Sequence, residues 1–145
     1  MYKLPTINLI TVRETALKND SAALDTPLKA VDTIRKLVPP GDREILSAIY
    51  LNSNTKPIGH YVVSIGTLSC SLVHPRELFR PAITANAASI IVFHNHPSGE
   101  TDPSQEDRNA TKRIKKAGEI LGIPLLDHII YADGECYSFR EHGLI

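Results

Sequence analysis

Two stretches of the chain are apolar at both alternating sets of positions, which is typical of β-strands buried on both faces of a sheet. The first runs from Glu44 to Leu51 and the second is Ser89–Phe93. Strands of this kind usually lie centrally in a sheet that helices cover on both sides. The pattern therefore predicts that these two segments form inner strands of one sheet.

A segment with apolar residues at helical spacing precedes each of these two strands. Thr26 and Pro27 suit an N-cap and a first helical position, and apolar residues then recur at helical spacing up to Val38. Pro39-Pro40-Gly41 stops this first helix. A second helix is predicted over Arg76–Ala88, with an interruption or kink at Pro81.

The third helix gives the clearest signal in the sequence. Asp102 is predicted as its N-cap, with Pro103 at the first helical position and Gln105 completing a capping box. Gly122 and Pro124 end it. One apolar stripe should face the core, formed by Ala110, Ile114, Ala117 and Leu121.

The remaining apolar segments read as shorter or more exposed strands. They are Ile7–Val12 at an edge, a hairpin of Ile58–Ile65 and Thr67–Val73 broken at Gly66, and Leu126–Ala132 with Cys136–Phe139 around an Asp133-Gly134 turn. Strands alternate with helices throughout, so we expect one α/β layered domain in which helices cover a mixed sheet. Residues 1–25 are assigned to an N-terminal strand and connecting segment of the same domain, and residues 26–145 to its main part.

Composition narrows the possible partners. The 145 residues include 16 Lys and Arg against 16 Asp and Glu, so the net charge is zero and no strong field for nucleic acid or an anionic membrane is expected. The two cysteines, Cys70 and Cys136, form no Cys-x-x-Cys pair. No stretch resembles a transmembrane helix or a signal peptide, so we expect a cytoplasmic protein without a membrane partner.

The most informative segment joins the second buried strand to the third helix. Residues two apart on a strand point to the same face, so His94 and His96 can converge just past the strand end. Asp107 lies three residues before Ala110 and shares its inward phase, where a carboxylate is costly unless it is paired or bound to metal. Two imidazoles, one carboxylate and a place for water form the ligand set of a catalytic zinc site.

Each part of this pattern also has a structural explanation. A single histidine at a strand end is usually structural, and an aspartate in the first turn of a helix usually complements the helix dipole. The inward phase of Asp107 weakens that second explanation, and Ser104 lies one turn earlier on the same face. All four residues together, at strand–loop–helix spacing, favour a metal site.

The pattern His94-x-His96-x7-Ser104-x2-Asp107 resembles the JAMM signature of the JAB/MPN metalloprotease superfamily. Further strings are similar to the bacterial RadC branch, namely His94–Gly99, Asp102–Ser104, Pro75–Glu77, Leu121–Ile130 and Ser138-Phe139. The resemblance covers residues 26–145 and implies a JAB/MPN, cytidine-deaminase-like fold. RadC proteins usually carry an N-terminal helix-hairpin-helix region as well, and we expect this chain to lack it.

The resemblance implies a role for each site residue. His94, His96 and Asp107 would hold Zn²⁺, which lowers the pKa of a bound water to about 7. A glutamate on an earlier strand acts as general acid/base in the superfamily, and Glu44 is the matching position. Ser104 would donate a hydrogen bond to the oxyanion or orient the water.

Several nearby residues have more than one possible role on sequence grounds. Glu100 and Glu106 lie closer to the metal ligands along the chain than Glu44 does, and they are alternative acid/base residues. Asn95 and Ser98 are expected to shape the loop. Asp127 and His128 match a family motif, and they either support the ligands or are structural.

The resulting functional expectation is a zinc-dependent peptidase or isopeptidase of the JAMM type, with a peptide or isopeptide substrate. One alternative is a non-catalytic accessory protein whose metal site is structural. Another is a factor associated with nucleic acid and DNA repair, suggested by the family name and by the basic helix face from Arg108 to Lys116. Zero net charge favours an ordinary solvated face over a nucleic-acid site.

Overall fold

The computed structural model describes residues 3–6, 22–38, 41–66 and 73–145. In these residues three helices and five strands follow one another in a simple order. The order is α1 (Pro27–Leu37), β1 (Glu44–Leu51), β2 (Pro57–Gly66), α2 (Pro75–Thr84), β3 (Ser89–Asn95), α3 (Gln105–Leu121), β4 (Leu125–Tyr131) and β5 (Cys136–Ser138).

The five strands form one mixed sheet in the order β2-β1-β3-β4-β5. β3 and β4 are parallel and are connected through α3, whereas the other neighbouring pairs are antiparallel. The α/β architecture with a mixed sheet covered by helices, expected from the sequence, is confirmed. Within the described parts of the chain, no helix is both long and apolar enough to cross a bilayer.

β1 and β3 are inner strands because both of their faces are apolar. Side chains that alternate along them enter two separate cores, one on each side of the sheet. The first core packs against α2 and α3 and includes Tyr50, Phe79 and Ile114. The second packs against α1 and includes Ile34, Ile49 and Phe93. The prediction that these two segments lie centrally in the sheet is confirmed.

The capped helix starts illustrate where local sequence signals succeed and where they fail. Thr26 is the N-cap of α1 and Pro27 its first residue, as predicted. The prediction for α3 is wrong, because its N-cap is Ser104 and the capping box pairs Ser104 with Asp107. Asp102 and Pro103 precede the helix instead.

Other boundaries differ from the expectations by a few residues. α2 ends at Thr84, four residues before the predicted Ala88, because Asn86 adopts a left-handed conformation with φ 53° that cannot continue a helix. Pro81 lies inside α2. Leu121, expected on the inward stripe of α3, is 45% exposed beside the terminating Gly122. The predicted strand Ile7–Val12, positions 67–72 of the predicted hairpin and most of residues 1–25 lie outside the described residues.

Candidate metal centre

Pairing between β1 and β3 places a glutamate beside the first histidine. The antiparallel register puts Leu46 opposite His94, and Glu44 lies two residues before Leu46 on the same face of the sheet. The Glu44 carboxylate Oε2 lies 3.7 Å from Nε2 of His94. His94 is buried, whereas Glu44 retains 31% exposure of its side chain.

His96 follows the last residue of β3 and turns its ring toward the same point. The two imidazole rings have centroids 4.7 Å apart and are almost perpendicular. Nδ1 of His96 lies 2.7 Å from the carbonyl oxygen of Glu100, and a carbonyl can only accept, so Nδ1 carries the proton. Nε2 of His96 therefore faces Asp107, to which it donates when it is protonated. Once that proton is lost, Nε2 presents the lone pair that a metal-binding imidazole requires.

Asp107 enters the centre from the first turn of α3. Its Oδ1 lies 3.3 Å from Nδ1 of His94 and its Oδ2 lies 3.6 Å from Nε2 of His96. Oδ2 also accepts a hydrogen bond from the backbone N–H of Ser104 at 2.9 Å, while Ser104 Oγ accepts one from the Asp107 N–H at 3.0 Å. The carboxylate that caps the helix thus also faces both histidines.

The charge on Asp107 is stabilised despite its burial. Burial alone would raise the pKa of this carboxyl, but hydrogen bonds from His94, His96 and the Ser104 backbone outweigh it and hold the pKa well below its usual range. The hydrogen bond with Asp107 correspondingly raises the pKa of His96, against the effect of its own burial. Asp107 is therefore a buried anion whose charge is balanced by the histidines around it.

These donors fit a metal ion. Glu44, His94 and His96 each offer one ligand atom, and the three atoms lie within 4.8 Å of one another. Asp107 contacts both histidines as well, so two sets of three residues share the same imidazoles. Two imidazoles with one or two carboxylates suit Zn²⁺ and other first-row divalent cations.

Two buried residues, Thr111 and His128, connect the backbone of Asp107 to β4. Thr111 Oγ1 donates to the backbone carbonyl of Asp107 at 2.7 Å and lies 2.6 Å from Nδ1 of His128. Because the hydroxyl has one proton, Nδ1 of His128 must donate to Oγ1. Burial lowers the pKa of His128 to about 3, which keeps it neutral. Thr111 was missed at the sequence level, where its inward position on α3 was the available signal.

His128 lies between His94 and the C-terminal segment. Its ring lies nearly parallel to that of Phe139, with the two centroids 4.7 Å apart. On the other side it stacks on the ring of His94, with centroids 6.5 Å apart. Asp127 has a different environment. Its carboxylate accepts hydrogen bonds from the Ser138 hydroxyl at 2.5 Å and from the Arg140 N–H at 3.0 Å. Asp127 therefore fastens the C-terminal turn, while its neighbour His128 supports the centre.

The remaining sequence candidates occupy different positions. Glu100 contributes its backbone carbonyl to His96, and its side chain is exposed. Glu106 is exposed in the first turn of α3. The Glu44 carboxylate, by contrast, lies 3.7 Å from Nε2 of His94.

A pocket of about 400 Å³ opens beside His96. Its walls come from the end of α1, the start of β1 and the turn between β4 and β5. Arg35 is held in this wall because its guanidinium donates to the carbonyl of Ala132 at 2.7 Å and lies 5.8 Å from the centre of the Tyr131 ring. Of the residues of the centre, His96 lines this pocket and Glu44, His94 and Asp107 do not, so the pocket meets the centre at His96.

Residues 24–144 match the RadC-like JAB domain family, which covers both histidines, Asp107 and Glu44. The chain belongs to the RadC-like JAB domain family. The chain is also similar to individual bacterial proteins. A UPF0758 protein of Clostridioides difficile is 50% identical over 115 residues, which cover 79% of this chain and 47% of that protein. A UPF0758 protein of Thermotoga maritima is 47% identical over 120 residues, covering 83% and 54% respectively.

A third relative, a UPF0758 protein of Desulforamulus reducens, is 52% identical over 104 residues, covering 72% of this chain and 46% of that protein. The chain therefore spans about half the length of the curated relatives it matches. The residues of this chain that match the RadC-like JAB domain family include the whole candidate metal centre.

Proposed function

We propose that this RadC-like domain is a zinc-dependent hydrolase of amide bonds in peptide or isopeptide substrates. The observation that carries the proposal is the convergence of Glu44, His94, His96 and Asp107, in which each carboxylate lies 3.3–3.7 Å from an imidazole nitrogen. His96 also lines an open pocket. Two carboxylates of different exposure around two imidazoles are what a hydrolytic centre needs, one to hold metal and one to move protons.

The two carboxylates differ in a way that assigns their roles. Asp107 is 3% exposed, is anionic and is fixed by the capping box, so it suits a permanent ligand together with His94 and His96. Glu44 is 31% exposed and borders solvent, so it suits exchange of protons with water and substrate. A bound zinc ion would polarise the scissile carbonyl and make water more acidic. Glu44 would take the proton from the attacking water and deliver it to the leaving amine.

Ser104 is proposed to donate a hydrogen bond to the oxyanion or to orient the water. Its Oγ already accepts a hydrogen bond from Asp107. A hydroxyl can accept and donate at the same time, so this contact leaves its proton for a substrate oxygen. The cap would then hold the hydroxyl in a fixed direction, which is the preorganisation that oxyanion stabilisation requires.

The proposal is tested by assaying zinc-loaded protein on a peptide library and on ubiquitin-like isopeptide conjugates, with Glu44→Gln as the decisive variant. Glutamine keeps the size of the side chain and removes its basicity. We expect full zinc content and a turnover lower by about a hundred to ten thousand fold. Glu119→Gln, an exposed glutamate far along α3, is the matched control and should match the wild type.

Other outcomes would assign the acid/base role to another residue or favour another function. Unchanged turnover in Glu44→Gln would move the acid/base role to Glu100 or Glu106. A wild-type protein that binds zinc but cleaves no amide substrate would contradict the enzyme and favour an accessory protein with a structural metal. Binding of DNA by that inactive protein would favour the nucleic-acid factor. Cytoplasmic location stays a prediction from the sequence.

A further inference from the structure

Asn95, between the two histidines, makes two hydrogen bonds to the start of β1. Its side-chain Oδ1 accepts from the backbone N–H of Ile45 at 2.6 Å, and its Nδ2 donates to the carbonyl of Arg43 at 2.9 Å. The backbone pairing of β1 with β3 reaches only as far as Leu46 and His94. The Asn95 amide therefore extends the contact between the two strands beyond the last paired residues.

These two bonds enclose one residue. The carbonyl of Arg43 belongs to the peptide plane before Glu44, and the N–H of Ile45 belongs to the plane after it. A peptide plane is rigid, so the conformation of Glu44 has two soft torsions, φ and ψ, and both planes that define them are held by a single planar amide. The direction of the Glu44 Cα–Cβ bond is thereby fixed relative to β3.

We propose that Asn95 is a positioning residue that holds the Glu44 carboxylate against His94. The inference rests on the proposed function, because it assumes that Glu44 serves as the acid/base residue. Asn95 itself points away from the metal-binding face, since strand residues alternate and its neighbours His94 and His96 occupy that face. It acts on the chemistry through the backbone of Glu44, and a misplacement of about 1 Å in a reacting group can cost about a hundredfold in rate.

The structural part of the proposal is tested without any substrate. Asn95→Leu keeps the approximate size of the side chain and removes both hydrogen bonds. Amide hydrogen exchange should then show the Ile45 N–H losing protection by about fivefold to tenfold, the equivalent of one hydrogen bond. Asn109→Leu makes the same change at an exposed position of α3 and should leave Ile45 protection unchanged. Unchanged Ile45 exchange in Asn95→Leu would overturn the proposal.

The functional part uses the zinc-loaded protein. In Asn95→Leu we expect unchanged zinc content and KM and a kcat lower by about a hundredfold. Adding Asn95→Leu to Glu44→Gln should cause no further loss, because the group that Asn95 positions is already disabled. Multiplied losses in the double variant, or a kcat equal to that of the wild type, would contradict the positioning role. Lost zinc in the single variant would also contradict it, since Asn95 would then act on the ligands.

A failed variant or an inactive protein still gives a decisive result. Should Asn95→Leu not fold, Asn95→Asp keeps the acceptor for Ile45 and removes only the donor to Arg43. It should retain Ile45 protection and still lower kcat. Should the wild type cleave no amide, the proposed function fails, and the ¹³C chemical shift of the Glu44 carboxyl becomes the readout. A shift in the Asn95 variant supports the positioning, and an unchanged shift overturns it.

Discussion

Ser104 combines a structural and a chemical role, and substitutions can separate them. Its Oγ accepts a hydrogen bond from the Asp107 N–H at 3.0 Å, which caps α3. Ser104→Ala removes this bond but leaves the reciprocal one, from the Ser104 backbone N–H to Asp107 Oδ2, because that donor is main chain. Loss of an N-cap side chain costs about 1 kcal/mol of stability.

The corresponding change in melting temperature follows from the size of the chain. Unfolding entropy near the midpoint is about 2.1 cal/mol/K per residue, or about 0.3 kcal/mol/K for 145 residues. Ser104→Ala should therefore lower Tm by about 3 °C. Glycine is a nearly adequate N-cap, so Ser104→Gly should cost only a few tenths of a kcal/mol and about 1 °C. Thermal and urea unfolding of the metal-free proteins measure both, so that metal binding adds nothing to the comparison.

The activity of these two variants then tests the catalytic role of the Ser104 hydroxyl separately from its role as an N-cap. Both variants lack it, so both should hydrolyse substrate more slowly by about a hundred to a thousand fold if Ser104 serves the oxyanion. Full activity in both would remove Ser104 from the chemistry and leave it as a cap. An alanine variant as stable as the wild type would refute the capping argument itself.

Two further predictions concern packing and pH. Gly118→Ala places a Cβ 2.5 Å from the carbonyl oxygen of Ile123. Urea unfolding should therefore show that the variant is less stable by about 1–3 kcal/mol, although alanine has the better helix propensity. A gain in stability would contradict this packing. The pKa of His128 is about 3 in the folded protein, against 6.5 for an ordinary histidine. Between these values the unfolded chain binds a proton that the native state does not bind. The free energy of unfolding therefore falls as the pH drops below about 6.5. Between pH 6.5 and 4.5 the metal-free wild type should lose about 2 kcal/mol more than His128→Phe, and equal losses would show that His128 does not resist protonation.

The inner strands could be predicted from the sequence because burial on both faces requires apolar residues at both alternating sets of positions. β1 starts at Glu44 and ends at Leu51 as predicted, since both of its faces meet a hydrophobic core. The start of α3 could not be resolved in the same way. Asp102 and Ser104 are both good N-cap residues, and the choice between them depends on the inward Asp107 carboxylate reaching back to the Ser104 N–H.

The centre was predictable to the extent that its residues are close in sequence. His94, His96 and Asp107 were expected together because strand and helix periodicity fixes their directions. The contacts that support them cross the sheet. Asn95 and Ile45 are 50 residues apart, and Thr111 and His128 are 17 apart. Such pairs depend on strand register and helix placement, which local patterns do not specify.

The central claim is that His94, His96 and Asp107 hold one zinc ion per chain and that Glu44 is not a ligand. Zinc content per chain, measured by elemental analysis after zinc loading and removal of free metal, tests it most directly in the wild type, Asp107→Asn and Glu44→Gln. Asparagine keeps an acceptor for the Ser104 N–H, so helix capping survives while the anionic ligand is lost. We expect one zinc in the wild type and in Glu44→Gln, and almost none in Asp107→Asn. Retention of zinc in Asp107→Asn with loss in Glu44→Gln would contradict the account and assign the metal to the set formed by Glu44, His94 and His96.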